Sequence, residues 1–297
     1  MLPAARRRYF LTFIAVTTSV ASLHCSSDRQ HFDAPDDGGP PAPGSFADAS
    51  TSDVGVSEPF ADCADENKLI YVVSSKDNEL HRFNPVTLTF ASIGKLRCPT
   101  SSDTFSMAVD RRGIAWVEYG DGRIFKVSTE DASCTPTPYR PGQHGFTTFG
   151  MGFAKDDTDG GPLSETLYIA GTTLARLDLS TFEVSLVGRS SLGQGELTGT
   201  AAGTLYGFLG TSGRIVQFDK TTGDVVETYR PDVEIGGGYA FAQWGGDFWV
   251  FTAPSSPRSR VTRYSPATNT SSVVLEDTGM LIVGAGSSTC APAEPVH

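Results

Sequence analysis

The sequence predicts an all-β protein, a β-propeller of five four-stranded blades closed by its C-terminal strand, on three observations. A strand pattern recurs at intervals of 41 to 50 residues from about residue 67 onward. One strand in each copy is built around Gly or Ala. The first copy lacks that strand, and the chain ends on a spare one. The 32 Gly and 18 Pro among 297 residues supply the many turns such a fold needs. A β-sandwich is the alternative arrangement.

The third strand of each copy is the plainest. Residues 79–85 (ELHRFNP), 123–129 (RIFKVST), 173–179 (TLARLDL), 214–220 (RIVQFDK) and 260–266 (RVTRYSP) align at Arg82, Lys126, Arg176, Gln217 and Arg263. Behind them stand Phe83, Val127, Leu177, Phe218 and Tyr264, then Asn84, Ser128, Asp178, Asp219 and Ser265. Thr87, Asp131, Thr181, Thr222 and Thr268 follow three residues later, with side-chain oxygens suited to holding a turn.

The second strands are 69–73, 114–119, 166–170, 204–208 and 247–251, each close to alternating in large apolar residues. The first strands are 106–110, 150–154, 197–201, 239–243 and 282–286, centred on Ala108, Gly152, Gly199, Ala240 and Gly284. Inner strands converge on the axis, where bulk is limited, so these are assigned innermost. The fourth strands, 90–96, 134–139, 183–188, 225–229 and 272–276, are the least regular, as outer edges can be. Copy one has no first strand, so the C-terminal 282–286 completes it and closes the ring, leaving no inner edge unpaired.

Ahead of the propeller domain (63–297) lie two further segments. Residues 1–25 carry Arg6, Arg7 and Arg8, no acid, and an apolar run from Tyr9 to Leu23. The run is short for a membrane span and reads as an export signal. Arg7-Arg8-Tyr9-Phe10-Leu11 resembles the twin-arginine export motif, with ordinary secretion as the alternative. Cys25, followed by Ser26 and Ser27, resembles the cleavage site of bacterial lipoproteins, in which the cysteine is lipidated; His24 departs from the small residue usual there. The expected location is therefore the outer membrane, periplasm or cell surface, with Cys25 as lipid anchor or, alternatively, removed with a simple signal. Residues 26–62 hold eight acids against Arg29 alone, with five prolines, and are expected to be a disordered acidic linker. The net charge of −11 argues against nucleic acid as a partner.

Besides Cys25 there are Cys63, Cys98, Cys134 and Cys290. In an exported chain two disulfides are expected. Closure favours Cys63 with Cys290, just before blade one and just after the strand that completes it, which leaves Cys98 with Cys134. No C-x-x-C spacing suggests zinc.

Propeller ligands sit at the channel mouth near the loops between blades, here 97–104, 140–145, 188–195 and 230–238. Arg140, His144, Glu196, Arg230 and Trp244 are the ligand-face candidates. His144 is also the candidate general base, against the alternative of an exposed loop histidine. Residues 155–165 carry Asp157 and Asp159 with the flavour of a calcium loop, but without the glutamate an EF-hand needs. Hard cations need converging oxygens. The Ala and Gly centres of the inner strands offer none, and Asp110 and Glu196 lie only near strand ends, so no metal or cofactor is expected. Trp116, Tyr119, Tyr139, Trp244 and Trp249 offer a sugar- or peptide-stacking platform, with blade packing as the alternative for most of them because they recur at equivalent strand positions, Trp244 on its turn being the least fitted to a core.

Over about residues 64–291 the chain resembles exported bacterial lipoprotein β-propellers. Its units LHRFNPVTLT and GIAWVEYGDGRIFKV are similar to repeats of streptogramin-lyase-like and NHL-type propellers. That resemblance implies the fold; the catalytic histidine and acid of the lyases find no residue-by-residue match here. The expected function is a monomeric, non-enzymatic module that binds a protein, peptide or glycan through one ring face, with a hydrolase or lyase at the channel mouth as the alternative. Shared positions build blades, so function belongs to what the blades do not share.

Overall fold

Alternating apolar residues make strands, and Gly-, Asn- and Asp-bearing turns fold each strand back on the last. The computed structural model describes residues 63–156, 164–188, 193–255 and 257–296. The export segment 1–25 with Cys25, the linker 26–62, and Asp157 and Asp159 lie outside the described residues.

Blade one contains β1 (Ile70–Ser74), β2 (Glu79–Asn84) and β3 (Thr89–Lys95). Blade two is β4 (Thr104–Val109), β5 (Ile114–Tyr119), β6 (Ile124–Ser128) and β7 (Cys134–Pro136). Blade three is β8 (Gly150–Lys155), β9 (Glu165–Ala170), β10 (Leu174–Leu177) and β11 (Val184–Leu186). Blade four is β12 (Gly195–Gly199), β13 (Leu205–Leu209), β14 (Arg214–Phe218) and β15 (Val225–Tyr229). Blade five is β16 (Tyr239–Trp244), β17 (Asp247–Thr252), β18 (Arg260–Ser265) and β19 (Thr270–Leu275). The last strand, β20 (Ile282–Ser287), pairs with β1, and blade one reads β20-β1-β2-β3. The result is a five-bladed β-propeller closed by its C-terminal strand.

The third-strand alignment follows the register. Arg82, Lys126, Arg176, Gln217 and Arg263 each pair with the aromatic of the second strand: Tyr71, Trp116, Tyr168, Tyr206 and Trp249. In three blades the cation lies over that ring, at 4.9 Å for Lys126 on Trp116, 5.6 Å for Arg176 on Tyr168 and 5.9 Å for Arg263 on Trp249. These contacts cap the outer side of the blade packing. In the turn that follows, Asn84, Asp178 and Asp219 accept backbone N–H bonds from the residues two and three places on.

Two details differ from the sequence reading. The fourth strands of blades two and three shrink to three residues. In blade two, Pro136 and Pro138 lack the N–H a longer ladder needs. The inner strands also differ in which residue stands opposite the second-strand aromatic. Opposite the second-strand aromatics stand Ala108, Gly152, Thr198, Ala242 and Gly286, so three of the expected centres are displaced by one or two residues. Small residues occupy both levels of most inner strands, so composition alone could not fix the level.

Both cysteine pairs are bridged. Cys63 and Cys290 have Cα atoms 5.6 Å apart, and Cys98 and Cys134 5.2 Å apart.

Candidate functional site

The inner strands begin at one end of the channel. Two residues before the aromatic level, the five blades contribute Ser106, Gly150, Glu196, Ala240 and Gly284. Four are small and one is a glutamate. Gly150 lies so close to Gly195 and Glu196 that a Cβ there would strike the Gly195 carbonyl. Over this bare backbone Glu196 of blade four reaches blade two, where the Ser106 hydroxyl donates to its Oε2 at 2.7 Å. One level down, Thr198 and Ser287 bond across blades four and one at 3.2 Å, and the Gln243 N–H donates to the Thr198 hydroxyl. Polar bonds thus cross the channel beneath Glu196.

Above Glu196 is a half-open cavity of about 330 Å³. Its walls are Phe105, Tyr239, Leu281 and Val283; Ser75, Thr104 and Gln194 supply neutral polar groups, and Gly236 to Gly238 form one rim. Tyr239 fits because its ring packs on Gly210, where a side chain would collide with it. Such a volume is at the small end of ligand sites, roughly 300–1,000 Å³.

Glu196 is 3% exposed. Burial holds its carboxyl well above the ordinary carboxylate range, and the Ser106 bond only partly opposes this. A second buried acid stands beside Ser106 in the register, Glu118 of β5. Its Oε2 accepts the Phe149 N–H at 3.0 Å, while Oε1 has no partner among the described residues. Burial raises Glu118 as well; the Phe149 bond opposes this, and the negative charges of Glu196 and Asp121 add to it. Burial, and next the Glu196 charge, push the Tyr239 hydroxyl up to about 12. Two buried carboxyls with raised pKa values therefore lie by the mouth, and Glu196 is the one that lines the cavity.

The far ends of the inner strands meet differently. The Arg111 N–H donates to Glu165 Oε1 at 2.8 Å, its guanidinium reaches the Thr289 hydroxyl at 3.2 Å and Cys63 Sγ at 3.5 Å, and Thr289 donates to Glu165 Oε2 at 2.7 Å. This knot joins blades one, two and three at the seam. Asp110 is spent locally, accepting from the Arg112 and Ile114 N–H groups and the Trp116 indole. Among the described residues, no three His, Cys, Asp or Glu side chains gather as a metal site.

Of the five ligand-face candidates, Glu196 alone lines the cavity. Arg140, His144 and Arg230 are exposed on loops. His144 sits in a single 3-10 turn with φ 49°. Trp244 is buried at the opposite end of β16 from Tyr239, and its indole donates to the Lys68 carbonyl at 2.6 Å. Trp116, Tyr119, Tyr139 and Trp249 are buried between blades. Glu118, Gln194 and Tyr239 were not singled out by the sequence reading. Glu118 had a readable signal: it stands where the other second strands have Val73, Ala170, Phe208 and Phe251.

Neither a family model nor a curated protein matches the chain. Among solved structures it is similar to a protein of unknown function from Bacteroides caccae, at 12% identity over 73% of this chain and 97% of that one, with TM-score 0.43. It is similar to a chain of a nidogen/laminin complex at 13% identity, over 77% and 83% of the two chains, with TM-score 0.49. It is similar also to a streptogramin B lyase at 15% identity, over 71% and 68%, with TM-score 0.39. Likeness at this level carries no activity across, so the reading of function rests on the cavity itself.

Proposed function

We propose that this protein is an exported binding module, held at a membrane surface through Cys25, that takes a unit of a protein, peptide or glycan ligand as a monomer at its channel mouth. The observation that carries this reading is the preformed cavity of about 330 Å³, walled by apolar and neutral polar groups around one buried carboxyl. A pocket of this make-up orients a ligand with few polar contacts and gains affinity from apolar burial. Export is supported by the arginine-led apolar N-terminus and by two disulfides, which persist in oxidising compartments. The test is to probe glycan and peptide arrays with the exported protein and with Val283→Trp, which fills the cavity. Capture by the native protein and loss in the variant is expected; equal capture by both would place binding elsewhere and sink the reading.

One observation favours a second reading, catalysis. Two buried carboxyls with raised pKa values beside one cavity are a pattern found at acid–base sites. Against it, Glu118 is fully buried and does not line the cavity. If the captured ligand is turned over, Glu196→Gln abolishes turnover while keeping capture; under the binding reading the ligand is recovered unchanged.

A further inference from the structure

We infer that Cys63 is the reactive cysteine of the seam: in the folded, reduced protein it attacks the disulfide of an oxidant as a thiolate held by Arg111, and Cys290 resolves the adduct to close the ring. This chemistry lies at the end of the channel away from the cavity and needs no ligand there.

Arg111 presents opposite groups to the two sulfurs. Its guanidinium Nη2 lies 3.5 Å from Cys63 Sγ, whereas its backbone carbonyl oxygen lies 3.8 Å from Cys290 Sγ. A thiolate accepts and gains from a cationic donor; a thiol is a weak donor and gains from a carbonyl. With the bridge open, the same residue favours the ionised sulfur on Cys63 and the protonated one on Cys290. Exposure ranks them the same way. Cys63 is half-buried, while Cys290 is 2% exposed and its backbone N–H is tied to the Ser288 hydroxyl at 3.1 Å. A reagent in solution meets Cys63 first.

Arg111 is only 8% exposed, and its guanidinium bonds the Thr289 hydroxyl and carbonyl and the Cys63 sulfur. No carboxylate bonds it among the described residues. A buried cation without an ion pair is costly, and an adjacent thiolate relieves that cost. The acids nearby are engaged elsewhere. Glu165 feels the Arg111 charge, but its two oxygens accept from the Arg111 N–H and the Thr289 hydroxyl. Asp110 accepts from the Arg112 and Ile114 N–H groups and the Trp116 indole. In the 3-10 turn that follows Cys63, Asp65 pairs with Lys68 and Glu66 is exposed. Cys98 and Cys134 show no such asymmetry. Both are half-buried against the apolar cluster of blades one and two, and no charged group bonds either sulfur among the described residues.

The exchange balances in two steps. The Cys63 thiolate attacks one sulfur of the oxidant's disulfide, forming a mixed disulfide and expelling the other sulfur as a thiolate. Cys290, whose Cα lies 5.6 Å from that of Cys63, then loses its proton, attacks Cys63 Sγ and expels the remaining oxidant sulfur. Two protein thiols are oxidised to one disulfide, the oxidant's disulfide is reduced to two thiols, and the two protons end on its sulfurs.

The experiment uses the whole protein in two single-thiol variants, Cys290→Ser and Cys63→Ser, with each cysteine read separately by peptide mass spectrometry. The probes are glutathione disulfide and iodoacetamide. At pH 7, Cys63 is expected to form its mixed disulfide with glutathione at least about tenfold faster than Cys290. The midpoint of its pH–rate profile with iodoacetamide should lie about one pH unit or more below that of Cys290. Adding Arg111→Gln to Cys290→Ser abolishes that difference, whereas Arg111→Lys, which keeps a cation, retains most of it. Equal rates, a faster Cys290, or a profile that Arg111→Gln leaves unmoved while the Tm falls overturns the inference. A difference that persists in urea belongs to the local sequence and overturns it too. Should a serine variant not fold, the native protein decides. Reduced, briefly reoxidised with glutathione disulfide and quenched with iodoacetamide, it should carry glutathione on Cys63 and the alkyl group on Cys290. Glutathione on Cys290, or spread equally over both, overturns the assignment.

Discussion

Glu196, Glu118 and Glu165 are three acids whose surroundings raise their pKa values, each through desolvation before any other cause. Glu165 is pushed from its ordinary 4.5 up to about 7, with Asp110 adding and the Arg111 N–H, the Thr289 hydroxyl and the Arg111 charge opposing. The folded protein thus keeps a proton that the unfolded chain has already released. Where the native state binds more protons, stability falls as pH rises. The contribution is fully present below pH 4.5 and is lost through about pH 7 for Glu165, and in the same direction, through their own raised titrations, for the other two. Thermal melts should therefore give a higher Tm at about pH 5 than at about pH 8. Glu165→Gln should flatten the part of that slope between pH 4.5 and about 7, a difference of at most about 3 kcal/mol. A native protein most stable at about pH 8 would contradict the raised pKa values of these acids.

At the scale of the element, the inner strand does two jobs with opposite demands. It must be thin enough for five backbones to approach the axis, yet blade four must carry Glu196 across that space. Bare backbone at Gly150 and Gly152 reconciles them. A Cβ on Gly152 would come within 2.7 Å of the Leu197 carbonyl carbon, and one on Gly150 within 2.6 Å of the Glu196 Cα. The obstacle is backbone in both cases, so neighbours cannot rotate away. Gly150→Ala should destabilise the fold by roughly 1–3 kcal/mol in urea unfolding, as overpacking typically does, and should disturb the channel mouth. Gly142→Ala provides the contrast. A Cβ there meets nothing within 4 Å, and the cost is limited to the strain of its φ of 91°.

For the whole molecule, the decisive feature is the seam. β20 and β1 come from opposite ends of the domain, and Cys63–Cys290 ties them across a sequence separation of 227 residues. Arg111 reinforces the join by reaching Thr289 from blade two. In the loop-entropy description this bridge contributes about 5 kcal/mol, and Cys98–Cys134, across 36 residues, about 4 kcal/mol. Replacing Cys63 and Cys290 by serine should lower the Tm more than replacing Cys98 and Cys134. Hydrogen exchange should show the seam variant opening first at β20 and β1. A seam variant that melts with the native protein would mean that packing alone closes the ring.

The sequence by itself determined the strand order, the blade number and closure by the C-terminal strand; it favoured the cysteine pairing that the structure shows. Each is a one-dimensional property: local alternation makes strands, a fixed period counts blades, and an unmatched strand at each end demands closure. The candidate site was legible only in part. Glu196 was read as an acid near a strand end and a ligand-face candidate, whereas Glu118, an acid where the other second strands have Val73, Ala170, Phe208 and Phe251, was not singled out. That these two flank Ser106, and that Gly150 lets Glu196 pass, was decided only by the tertiary structure. Ser106 and Glu196 are 90 residues apart, and Arg111 and Thr289 are 178 apart. Which face and level a side chain takes depends on cross-strand register, and a slip of one residue turns every side chain over. Local pattern identifies a strand; only packing against the neighbouring blades sets its height, and that height decides which acids meet at the channel mouth.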